Sequence, residues 1–179
     1  MELGLFVLRV VVGALFMGHG AQKLFGTFGG HGLEGTAGFF EQGLGLRPGK
    51  VHAAGAGAAE FFGGLLLLVG FLTPFAAAAL IATMTVAIIT VHWAKGVWST
   101  EGGYEYNLVL MAVAFAVAAT GPGKWSIDHA LSFDLDGKGW GIAALIAGVV
   151  GGAAMWFGGK AAGRAAAADQ AGAESSTPA

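Results

Sequence analysis

The chain contains no cysteine. Disulfides, thiolate metal ligands, iron–sulfur ligation and a thiol relay are therefore excluded. Any electrons it handles pass through a bound cofactor, a quinone or a partner. Charge is scarce as well. Asp, Glu, Lys and Arg make up 11% of the 179 residues, against about 25% in an average soluble domain. Nine Lys and Arg stand against eleven Asp and Glu, a net charge of −2. That leaves no basic face for nucleic acid.

What is abundant is apolar. Hydrophobic residues reach 55% and the mean hydropathy is +0.70, which points to a membrane protein. A crossing helix needs ~20 mainly apolar residues. Five runs qualify: residues 3–22, 51–72, 74–93, 104–120 and 140–157. They are long and do not alternate, so helices are expected rather than strands. The start, "MELGLFVLR", has neither a basic n-region nor a small-x-small cleavage site after it. The first run is therefore expected to be retained. The fold class that follows is an all-α membrane protein: a four-helix transmembrane bundle, a fifth C-terminal transmembrane helix and a short interfacial helix.

The linkers differ in kind. "LTP" makes a tight hairpin of the second and third spans. In residues 26–50, Leu33, Ala37, Phe40 and Leu44 recur at helical spacing with Glu34 and Glu41 off the stripe, the pattern of a helix lying on the membrane surface. Trp93, Trp98, Tyr104, Trp125, Trp140 and Trp156 fall near span ends, as an aromatic belt would. Small residues crowd the second span, where close backbone approach drives packing, so this span is expected at the centre. Residues 1–131 then form the core, 132–159 a loop and the extra helix, and 160–179 a disordered or frayed tail.

The polar exceptions carry the functional question. "GHGAQKLFG", Gly18 to Gly26, puts His19, Gln22 and Lys23 at the end of an apolar run. Arg9 lies ~9 Å along the first helix from Leu3, and Glu60 lies ~12 Å inward from His52. A charge at such depth costs ~2.5 kcal/mol or more unless it is paired. Glu60 is expected to pair with Arg9, to face other polar groups or to be exposed to lipid. Because spans alternate in direction, His19, Lys23, His52, His92, Glu105 and Asn107 all belong to one membrane side. The expected site is a half-buried polar pocket of Arg9, His19, Lys23, Glu60, His92, Glu105 and Asn107, lidded by residues 33–44. Histidine suits such a pocket to proton exchange. The bland alternative is a set of helix ends with ordinary interfacial side chains. His19, His92, Glu60 and Glu105 are chemically suited to Zn or Fe, but no metal-binding spacing is present and no metal is expected. "GLRPGKV" has the wrong spacing for a phosphate loop, and "DLDGKG" continues to Leu145 where a calcium loop needs Glu.

Together, "LRVVVGALFMGHGAQKLFG", "GTAGFFEQGLGL", "AAEFFGGLLLLVGFLTPFAA" and "GYEYNLVLMAVAFAVAATGPGKWSID" resemble the DoxX family of small bacterial membrane proteins, over about residues 3–131. The resemblance implies a four-helix core in the bacterial inner membrane, with the fifth span an extension. It also implies a loose tie to redox functions, since relatives include a quinone-linked thiosulfate-oxidising subunit. A mycobacterial relative is associated with a superoxide dismutase and a thiosulfate sulfurtransferase. The family's Arg, His, Lys, Glu and Tyr-Glu-Tyr-Asn positions fall on Arg9, His19, Lys23, Glu60 and Tyr104 to Asn107. Two functions stay open: a redox component that handles a quinone or small oxidisable substrate, and a non-catalytic scaffold that docks soluble or respiratory partners. Orientation stays open too. Lys23, Arg47, Lys50, Lys95, Lys160 and Arg164 on one side, against Lys124 and Lys138 on the other, put the N-terminus outside. The resemblance implies the reverse.

Overall fold

The computed structural model describes residues 2–175. Among these, four helices are long and apolar enough to cross a membrane. They are α1 (Glu2–Phe25), α3 (Gly49–Val69), α4 (Thr73–Ala87) and α7 (Lys138–Ser175). A π turn, Ile88–His92, and a 3-10 turn, Trp93–Lys95, prolong α4. A further apolar helix, α5 (Glu105–Thr120), has 16 residues. At 1.5 Å per residue it is about 24 Å long, shorter than the ~30 Å hydrocarbon core. Two short α-helices, α2 (Gly32–Gly38), continued by a π turn at Phe39–Gly43, and α6 (Ile127–Ala130), and a 3-10 turn at Ser99–Glu101 complete the order. The chain is a multi-pass, all-α membrane protein.

α3 lies between α1 and α4. Its glycines make that possible. A methyl at Gly64 would come 2.7 Å from the Gly13 carbonyl, and one at Gly13 would come 2.6 Å from the Gly64 carbonyl. Val12 and Phe16 of α1, Leu67 of α3, Leu80 and Met84 of α4 and Val117 of α5 form one shared core. α7 packs outside this four-helix unit, against α4 and α5, through a smaller core of Ala77, Ile81, Ala114, Ala118 and Ala144.

The α3–α4 hairpin is tied by residues far along the chain. Gly70 ends α3 in the left-handed region, with φ 64°, where glycine carries no Cβ penalty. Asp128 then covers the start of α4: it accepts from the backbone N–H of Leu72 at 2.8 Å and of Thr73 at 3.0 Å, and from the Thr73 hydroxyl at 2.7 Å. Arg9, fully buried, reaches the same corner and donates to the carbonyls of Leu68 (3.0 Å) and Trp125 (2.6 Å). Arg9 therefore does not pair with Glu60. It donates to one carbonyl in the last turn of α3 and one in the loop before α6, beside Asp128, at the opposite end of the bundle.

The tail also departs from the sequence expectation. α7 does not fray after Phe157 but runs on to Ser175, because "KAAGRAAAADQAGA" is dominated by alanine, the strongest helix former. The last residues of the expected tail, 176–179, lie outside the described residues.

Candidate functional site

"GHGAQKLFG" forms the last turns of α1, and its glycines are not equivalent. A methyl at Gly18 would meet nothing within 4 Å, whereas one at Gly20 would come 2.7 Å from the Gly57 carbonyl. Gly57 is equally crowded, its missing methyl lying 2.7 Å from the Leu24 side chain. Lys23 and Glu60 each follow one of these contact glycines by three residues, one turn on the same helix face. The close crossing of α1 and α3 thus delivers Lys23 to Glu60, and Lys23 Nζ donates to Glu60 Oε2. Glu60 is 5% exposed, so this is a largely desolvated ion pair.

The pair borders a cavity of about 620 Å³. Its walls are mainly apolar, with Ala56 and Ala59 from α3, Val86 and Ala87 from α4, and Met155 from α7. Thr83 of α4 and Thr90, seven residues on in the π turn that prolongs it, also line it. Their hydroxyls donate to Leu80 (2.8 Å) and Val86 (2.7 Å) on their own helix, so each offers the cavity an acceptor oxygen. The segment 33–44 covers the end of the cavity, where Thr36, Phe39, Phe40 and Leu44 line it. This cover is anchored to α3. Glu41 accepts from the Gly49 N–H at 3.1 Å and faces Arg47 at 3.3 Å, and Lys50 pairs with Glu34. α7 closes the far side: the Gly159 carbonyl accepts from the Arg47 N–H at 3.1 Å, and His52 lies against the missing side chain of Gly159.

Of the seven expected site residues, the structure brings Lys23 and Glu60 together on the cavity and distributes the other five. His19 is exposed and donates to Gln22 Oε1 at 3.1 Å, while Gln22 in turn donates to the Phe28 carbonyl at 3.1 Å and holds the turn after α1. His92 donates to the Gly102 carbonyl at 2.7 Å. Glu105 accepts from the Ser99 N–H at 3.0 Å and hydroxyl at 2.9 Å. Asn107 is buried against Met84, its amide 3.3 Å from the sulfur. His92 and Glu105 therefore organise their own loop, and Arg9 serves the opposite end. The sequence reasoning left His31, His52, Thr83 and Thr90 out of the site, all of which line the cavity. The Thr83–Thr90 spacing, two turns apart, was a usable signal. Among the described residues, no group of three or more His, Asp or Glu side chains gathers as metal ligands.

The arrangement can bind a molecule with an apolar body and a small polar head, which Lys23 and Glu60 can address as donor and acceptor. The sequence model of DoxX matches residues 4–93, from α1 through the turns that end α4. The chain belongs to the DoxX family. A second family model, described as the TQO small subunit DoxD, matches residues 56–149. A Bacillus subtilis protein named "Putative oxidoreductase CatD" is 30% identical over 119 residues, covering 66% of this chain and 81% of the relative. The Mycobacterium tuberculosis protein named "Uncharacterized membrane protein Rv3486" is 27% identical over 145 residues, covering 70% of this chain and 79% of the relative. No solved structure matches the chain. Both DoxX-type models stop before Gly152 and Met155, so this chain completes its cavity with a wall that neither match includes.

Proposed function

We propose that this DoxX protein is a membrane component of a redox system in the bacterial inner membrane, and that its cavity handles a quinone or another small oxidisable molecule. The observation that carries this reading is the Lys23–Glu60 pair on an otherwise apolar cavity of about 620 Å³. Pockets for small molecules span ~300–1,000 Å³, with apolar walls and a few placed polar groups. Lys23 and Glu60 would hold the polar head, and the α3 and α4 walls would hold the ring. A quinone would supply two-electron, two-proton chemistry that a chain without cysteine lacks. The names of CatD and of the DoxD subunit support the redox setting.

A docking scaffold is the second reading, favoured by α7. Its residues 160–175 continue as helix beyond the level of Arg47 and Gly159, a surface for soluble partners of the superoxide dismutase or sulfurtransferase kind. One extraction in mild detergent, analysed together for quinones, lipids, metals and proteins, separates the two. The redox reading expects a lipid-soluble redox molecule near one per chain. A soluble protein recovered in stoichiometric amount without such a molecule would favour the scaffold.

A further inference from the structure

The rim of the cavity carries information about how its occupant arrives. Two lining residues are large, apolar and half exposed: Phe39, at 51%, on the π turn that follows α2, and Met155, at 48%, on α7. Met155 lies one turn before Gly159, whose carbonyl meets Arg47 just ahead of the start of α3. It therefore faces outward within the apolar part of α7, at the depth where α3 begins its crossing. Exposed apolar side chains at that depth face acyl chains rather than water. The opposite approach differs. Gly29 and His31, on the turn after α1, also line the cavity and are exposed, beside Lys23.

Charge argues in the same direction. Lys23 is the one Lys or Arg among the described lining residues, and Glu60 already neutralises it. A small inorganic anion entering from water would find no free ammonium or guanidinium and would have to displace a carboxylate from a desolvated pair. A neutral head that both accepts and donates hydrogen bonds fits the pair without net charge. Both rims that flank the covering segment and the α4 wall also fall on π turns, Phe39–Gly43 and Ile88–His92, which supply lining residues. Such turns recur at functional positions in membrane and soluble helices alike.

We infer that the cavity is filled sideways from the bilayer, past Phe39 and Met155, by a lipid-soluble molecule whose neutral polar head reaches Lys23–Glu60 and whose apolar tail remains in the mouth. This rests on the ligand-binding reading above. It narrows the class of ligand, selecting tailed lipid-phase molecules over small anions.

The test uses the full chain in nanodiscs of quinone-free lipid. The probes are a benzoquinol ring with a long isoprenoid tail, kept reduced, and the same ring with a methyl group in its place. Met155→Trp narrows the mouth at a lipid-facing position. It should weaken the tailed probe by about tenfold, the loss of a modest set of apolar contacts, and leave the methyl probe within about twofold of wild type. Met155→Ala opens the mouth without blocking it and should weaken the tailed probe less than Met155→Trp does. Phe39→Trp, on the other flank, should reproduce the split independently of how Met155→Trp folds. Equal weakening of both probes, or no effect of either Trp variant on the tailed probe, overturns the lateral entrance while leaving the ligand-binding reading intact. A wild-type protein that binds neither ring overturns that reading, and the entrance with it.

Discussion

Lys23 and Glu60 are 37 residues apart in sequence and joined in space by two glycines that let their helices touch. Each side chain alone would be poorly placed. Glu60 is 5% exposed, whereas the Lys23 side chain keeps 27%. The asymmetry sets the order of the variants. Removing one partner of a buried pair costs ~3–5 kcal/mol. Lys23→Met strands the more buried group and should sit at the upper end. Glu60→Ala leaves an ammonium that can turn toward water, and should sit near ~3 kcal/mol or below. Glu60→Gln keeps an acceptor and should cost least. Joining Glu60→Gln to Lys23→Met should recover part of the loss, and thermal melts of the four proteins in one detergent give the cycle. Additive losses would show that the two side chains do not depend on each other. Arg9 was visible in the sequence as a buried charge, but its partners were not. They are backbone carbonyls of Leu68 and Trp125, and any residue type presents a carbonyl.

At the scale of the helix, the two glycines of "GHG" make opposite predictions. Gly20→Ala places a methyl against the α3 backbone beside Gly57 and should destabilise the protein by ~1–3 kcal/mol through overpacking. Gly18→Ala meets open space and replaces a poor helix former, so it should be neutral or stabilising by up to ~1 kcal/mol. If the two melt alike, the α1–α3 crossing is not as close as described. Asp128→Ala should untie the start of α4, since three hydrogen bonds end on that carboxylate. A loss of ~2–3 kcal/mol is expected, at ~1 kcal/mol per hydrogen bond, readable as faster amide exchange at Leu72 and Thr73. The long apolar helices and the covering segment at 33–44 were legible because each has a period or a length that nothing else explains. The extension of α7 was missed because "KAAGRAAAADQ" reads as small and polar, although alanine makes it strongly helical.

For the whole molecule, four helices are long and apolar enough to cross and α5, at 16 residues, is shorter; we propose that α5 crosses as well, which puts the N-terminus and the far end of α7 on opposite faces. Reporter fusions at the two ends should give opposite compartments, and equal ones would remove a crossing. Connectivity also explains how much of the site could be read in advance. Alternation alone assigns His19, Lys23, His92 and Glu105 to one face, but says nothing of position around the bundle. That depends on which helices touch. α1 crosses α3 closely, so Lys23 meets Glu60, while His92 and Glu105 turn to the loop between α4 and α5. The central claim is that this geometry binds a lipid-soluble redox molecule through the Lys23–Glu60 pair. It is tested most directly by titrating a tailed quinol, kept reduced, into the wild-type chain and Glu60→Gln, both in quinone-free nanodiscs. Saturable binding near one per chain, weakened about tenfold or more in a Glu60→Gln protein that still melts normally, is the predicted result. Absence of saturable binding, or equal affinity in both proteins, would contradict it.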